Sequence, residues 1–171
     1  GSAGTRMTGA HEAIKAIVTD SSLTAGVNFG FAYWSSGGAG FSRWSGNITT
    51  GRATPCSSRA CLKVRAHKQG ASRINQIISS VNPGGGTRAD DWARIGRDYY
   101  LNPTYTPIDG NLSCQNSYLL VIGDGDWWGH NNAQSIVTQL LNRYKIKTFT
   151  VAYGGGLSSN GVMNFRRMAQ A

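Results

Sequence analysis

The chain has 171 residues, with 17 Lys and Arg against 8 Asp and Glu, a formal charge of +9. At 40% hydrophobic and 15% charged residues it is too apolar for a disordered chain and too sparsely charged for a coiled coil; its length suits one domain with a real core. No apolar stretch reaches the roughly 20 residues that span a bilayer, and the opening GSAGTRM is unlike a signal peptide.

Met7, Ala10, Ile14, Ile17 and Val18 recur at helical spacing and stop before Asp20. VNFGFAYW, residues 27–34, is β-branched and aromatic between glycine-bearing segments, which predicts a buried strand. A long stretch, 35–59, reads as a surface loop insertion. CLKVRAH then alternates Leu62, Val64 and Ala66 with Lys63, Arg65 and His67, the pattern of a half-exposed strand whose charges blunt a sheet edge. Ile74, Ile77, Ile78 and Val81 restore the helical period until Asn82-Pro83-Gly84. A helix follows GGGT, with Trp92, Ile95 and Tyr99 on one face and Asp90 and Asp91 in its favourable first turn. A strand at 117–123, a helix at 132–144, a strand at 146–153 and a helix carrying Val162, Phe165 and Met168 complete the order, without internal repeats. Such alternation predicts a single α/β domain over 1–171, three-layered, with a mostly parallel doubly wound sheet.

Ten of the seventeen basic residues lie between Arg43 and Arg97 without forming a run, so a soluble basic surface is the plain reading. Cys56 and Cys61 frame PCSSRAC, where no second cysteine pair or histidine pair offers zinc. A local Cys56–Cys61 disulfide in an oxidising compartment is the simpler expectation, two reduced thiols the alternative. Cys114 is then left free or paired outside the chain.

Ligands of such sheets bind beyond the carboxyl ends of the strands. Asp124 stands where the apolar strand 117–123 ends, with Asp126 two residues on, and Gly84-Gly85-Gly86-Thr87 precedes a helix. A hydroxyl and a carboxylate from neighbouring loops are the hard oxygen ligands that Mg²⁺ or Mn²⁺ accepts. The plain readings are an N-cap for Thr87 and turn chemistry for Asp124 and Asp126. Trp127 and Trp128 are expected to pack, His130 to be a hydrogen-bonded loop residue, and His11 and His67 to lie too far apart in pattern to complete a triad or a zinc site.

GGGTRADDW and VIGDGD, with TRMTGAHEAIKAIVTDSSLTAGVNFGFAYW and IKTFTVAYGG, resemble the von Willebrand factor A family across most of the chain. The run PGGGTRADDWARIGRDYY, Cys114-Gln115 before SYLLVIGDG, and the closing NFRRMAQA look most like the A-type domain of type IV pilus tip adhesins. The resemblance implies a metal-ion-dependent adhesion site with Thr87 and Asp124 as ligands and Asp126 behind them. It also implies an exported protein, displayed at the pilus tip through the periplasm and outer membrane of a Gram-negative bacterium. Its role would be pilus biogenesis, surface attachment and twitching motility, and its partners pilus subunits or surface ligands with acidic groups.

The family's DxSxS motif follows a first, central strand, and only GSAGT precedes Arg6 here, so that strand is expected outside this chain and the chain is expected to be part of a longer one. Asp20-Ser21-Ser22-Leu23-Thr24 imitates the motif but follows a helix, and is expected to be a connecting loop. With Thr87 and Asp124 alone a metal is held weakly, because dehydrating Mg²⁺ takes more anionic oxygen. A metal-independent, force-transmitting domain is therefore the alternative within the class, and a basic nucleic-acid module the alternative outside it. GxSxG, Walker and dinucleotide-binding fingerprints are missing from the sequence, so no enzyme is expected.

Overall fold

The computed structural model describes residues 3–34, 60–81, 88–123, 127–152 and 157–171. Helix α1 spans Ala3–Thr19, and a single turn, α2, spans Ser21–Thr24. Strand β1 is Phe29–Trp34 and β2 is Ala60–His67; α3, Gly70–Ile77, runs on into a tighter turn at Ile78–Ser80. Next come α4 (Ala89–Tyr100), β3 (Tyr118–Gly123), α5 (His130–Tyr144), β4 (Lys147–Ala152) and α6 (Ser159–Ala169). The chain is thus an α/β protein, as its patterning predicts. The strands, however, form two separate pairs among the described residues, β1–β2 antiparallel and β3–β4 parallel, where one mostly parallel sheet was expected.

The antiparallel pair is covered on both faces. Phe29 and Phe31 point with Val64 toward α1 and α3, where Val18, Ile74 and Ile78 are buried. Ala32 and Trp34, on the opposite face by strand alternation, pack on Ile95 of α4, and Leu62 packs on Tyr99. Gly70 makes this layering feasible, since a Cβ there would come 1.8 Å from the Phe29 carbonyl oxygen. Only glycine lets α3 start so close to β1.

The register of β1–β2 slips twice. Phe31 pairs with Val64 and Ala32 with Leu62, leaving Lys63 as an extra residue; Gly30 faces both Arg65 and Ala66. Bulges of this kind break the alternation of faces. The expected alternation therefore fails at Lys63, which is buried between Leu62 and Val64, its ammonium 5.5 Å from the centre of the Tyr33 ring. Burial lowers the pKa of this ammonium.

The parallel pair runs in register from Tyr118↔Lys147 to Gly123↔Ala152. Val121 enters the main core with Trp92 and Ala93 of α4, Val137 and Leu140 of α5, Ile146, and Phe165 and Met168 of α6. The opposite face, with Tyr118, Leu120, Phe149 and Val151, is exposed. Helix α4 touches both pairs: Ile95 meets Ala32 and Trp34, while Gly96 is so close to Leu119 that a Cβ would fall 2.8 Å from its methyl.

Segment 101–117 is an irregular but stitched connection. Asn102 Oδ1 accepts from the amides of Thr104 and Tyr105, both at 2.9 Å, and Gln115 accepts from the Asp109 amide and donates to the Pro107 carbonyl. Cys114, in this segment, is an exposed free thiol.

Candidate functional site

Parallel pairing puts the carboxyl ends of β3 and β4 at the same rim, and the N-termini of α5 and α6 follow directly in sequence. Of the residues predicted to act there, Thr87, Asp124 and Asp126 lie outside the described residues, and so do Cys56 and the side chain of Cys61, whose backbone pairs with Tyr33 in β2. The residues flanking those loops are described, and they meet. Arg88 forms a parallel bridge with Trp128, and the Ala89 amide donates to the Trp128 carbonyl at 2.8 Å. From α6, the Asn164 amide group donates to the Trp127 carbonyl at 3.4 Å.

Trp127 is buried against Phe165, 4.4 Å between ring centres, and against Trp92 at 6.2 Å. It also stands above the end of β3, where a Cβ on Gly123 would lie 3.3 Å from its ring. Trp128 is 58% exposed, so the two tryptophans divide between packing and surface where both were expected to pack. His130 opens α5 rather than lying in a loop, and its Nδ1 is buried without a hydrogen-bond partner among the described residues.

Asp90 and Asp91, read from sequence only as acids suited to a helix start, are both fully buried. Asp90 Oδ1 accepts from Arg88 Nε at 2.6 Å, and Arg94 Nη2 lies 3.1 Å from Oδ2, an ion-pair distance without the direction of a hydrogen bond. The Asp90 partnership raises the Arg88 pKa through the hydrogen bond and then through charge attraction. Gly129, with φ of 76°, lies directly over this carboxylate, since a Cβ would come 2.6 Å from Asp90 Oδ1. The signal available in the sequence was an acid flanked by arginine at i−2 and i+4, followed at a distance by a glycine after two tryptophans.

Asp20 is occupied locally. Its carboxylate caps α2 by accepting from the Ser22 amide at 2.8 Å and the Ser22 hydroxyl at 2.6 Å, which lowers its pKa. The expected connecting loop contains this one helical turn. Among the described residues no three His, Cys, Asp or Glu side chains are grouped to hold a metal ion, and no helix is long and apolar enough to cross a membrane. Set against family models, curated proteins and solved structures, the chain has no match.

Proposed function

We propose that this chain is a recognition domain of the von Willebrand factor A type, part of an exported type IV pilus tip protein that serves pilus biogenesis, surface attachment and twitching motility. On this reading Thr87 and Asp124 hold Mg²⁺ or Mn²⁺ through a hydroxyl and a carboxylate, Asp126 stands behind them, and an acidic group of a protein partner completes the coordination. The observation that carries it is the Arg88–Trp128 bridge. Arg88 directly follows Thr87, and Trp128 is two residues beyond Asp126, so the contact joins described residues that flank the two ligand loops in sequence, which supports a shared rim. Hard oxygen donors suit such an ion, and the metal would supply the charge that makes binding of the partner selective for acids.

The same reading takes the two strand pairs as halves of one doubly wound, three-layer sheet, with a strand between β1 and β3. Support comes from α4, which packs on both halves, and from the run of rings Trp34–Trp92–Trp127 linking them, with centroid separations of 6.5 and 6.2 Å. Two-stranded pairs are marginal alone, and a strand between them would satisfy both open edges.

Isothermal titration with Mn²⁺ and Mg²⁺ tests the metal. A saturable heat that disappears in Asp124→Ala is the expected outcome; equal heats, or none from either protein, would refute it. The Arg88–Asp90–Arg94 contacts, which pair the buried Asp90 carboxylate with protein groups, support the metal-independent, force-bearing reading as the second choice. Absence of any heat would select it.

A further inference from the structure

The exposed tip of segment 101–117 carries a motif that neither the rim nor the core explains. Asp109-Gly110-Asn111-Leu112-Ser113 contains Asn-x-Ser with a leucine in the middle, the tripeptide to which an oligosaccharide is transferred on surface loops of exported proteins. Two other places in the chain have the same spacing. Asn102-Pro103-Thr104 is excluded by its central proline, and Asn47-Ile48-Thr49 lies outside the described residues.

A tripeptide this short recurs by chance, so its setting decides. Residues 109–114 are all exposed, between half-buried Ile108 and Gln115. The Gln115 side chain closes the base of the loop, accepting from the Asp109 amide at 2.7 Å and donating to the Pro107 carbonyl at 2.8 Å. Above it the Leu112 amide donates to the Asp109 carbonyl at 3.0 Å and the Gln115 amide to the Leu112 carbonyl at 3.3 Å, so two successive turns shape the tip. A Cβ added at Gly110 would meet nothing within 4 Å. An enzyme can therefore reach Asn111 without opening the core.

Asp109 completes the setting. Its Oδ1 accepts from the Asn111 amide at 2.9 Å and from Asn111 Nδ2 at 3.0 Å, an Asx turn that holds the asparagine side chain at the exposed tip beside a carboxylate. An acid two positions before the asparagine is also what bacterial transferases require in addition to the tripeptide. Asn47 has Ser45 in that place.

We propose that Asn111 is an N-glycosylation site. The co-reactant is an oligosaccharide joined through its anomeric carbon to a polyprenyl diphosphate. Asn111 Nδ2 attacks that carbon; the new N–C bond forms as the C–O bond to the diphosphate breaks, the diphosphate leaves with the electron pair, and Nδ2 gives up one proton. No group is oxidised or reduced. The glycan stands at the amino end of β3, because segment 101–117 leads into Tyr118, whereas the ligand loops of the rim follow its carboxyl end at Gly123. A strand of this length, about 20 Å, keeps the sugar clear of the rim. The proposal rests on the exported reading, since transfer takes place in the compartment that export reaches.

The purified full chain, incubated with a bacterial oligosaccharyltransferase and a polyprenyl-diphosphate oligosaccharide, bypasses export, so this test does not depend on that reading. Intact-mass spectrometry should show the gain of one oligosaccharide per chain, and glycopeptide fragmentation should place it on Asn111. The gain should vanish in Asn111→Gln and in Ser113→Ala, fall sharply in Asp109→Ala, and persist in Asn47→Gln. A gain that survives Asn111→Gln, or a folded chain left unmodified while a standard acceptor peptide is modified in the same tube, would overturn the proposal. Transfer in the tube, together with unmodified protein from cells that carry the same transferase, would count against export and leave Asn111 as the acceptor.

Discussion

Val64 in β2 and Leu120 in β3 are both apolar residues inside apolar strands, yet Val64 is completely buried and Leu120 is 48% exposed. The difference lies in what surrounds each pair. Helices α1 and α3 cover one face of β1–β2 and α4 the other, whereas α4, α5 and α6 all pack on the Val121 face of β3–β4. Leu120 and Phe149 are left facing away from every helix of the core. Strand composition therefore fixes the tendency to pair and be covered, while the arrangement of helices decides which face gains the burial energy.

The sharpest way to break this comparison is to unseat α3. Gly70→Ala places a methyl against the Phe29 carbonyl, where backbone rather than a flexible side chain must move. A loss of about 4 kcal/mol or more is expected from urea denaturation; a loss near that of an ordinary helix substitution would show that α3 does not bear on β1 as described.

On the parallel side, the corresponding lock is Asp90. Asp90→Asn removes the charge that pairs with Arg88 and Arg94 and should cost about 3 kcal/mol, readable as a drop in Tm. A neutral outcome would mean that the contacts at the rim are incidental.

Tyr100 ties α4 to the start of β3 by donating to the Tyr118 carbonyl at 2.8 Å. Burial, and then its neighbour Tyr99, raise its pKa from 10.0 to about 12. The unfolded chain thus releases this proton at lower pH than the folded one, so stability is retained below pH 10 and falls as pH rises from 10 toward about 12. The loss should be on the order of 2 kcal/mol, and Tyr100→Phe should flatten that limb of the stability profile. An unchanged limb would place the titration elsewhere.

The smallest effects form a matched pair. Val64→Ala should cost about 2 kcal/mol through lost burial and a residual cavity, while Leu120→Ala should stay within about 0.5 kcal/mol, as an exposed position does. Comparable costs would mean that the outer face of β3–β4 is covered after all.

Much of this organisation was legible in the residues. Ile74 and Ile78, four residues apart, mark the buried face of α3 and of the tighter turn that continues it, and the apolar run 118–122 marks β3, because periodicity and composition are local properties. Lys63 was misread because a bulge is a register decision made between two strands, invisible in either alone. Asp90 and Asp91 show in the sequence only as acids suited to a helix's first turn, because their burial depends on Gly129 and on the segment after β3, some forty positions along the chain. Separate pairing of the strands was likewise out of reach, since pairing is a long-range choice that alternation does not encode. For the site itself, the order of motifs predicted a shared rim. The structure contributes the flanking contacts at Arg88, Ala89, Trp127 and Trp128, and the ligands Thr87 and Asp124 lie outside the described residues.

Paramagnetic broadening by Mn²⁺ in amide NMR spectra tests the central claim most directly, because it locates an ion without requiring a partner. Signals of Arg88 to Asp91 and of Trp127 to His130 should weaken first and together, recover on chelation, and remain sharp in Asp124→Ala, with Lys15 and Tyr144 unaffected throughout. Broadening centred on Asp20 or Asp109, or an identical pattern in Asp124→Ala, would contradict a metal-dependent recognition site at this rim.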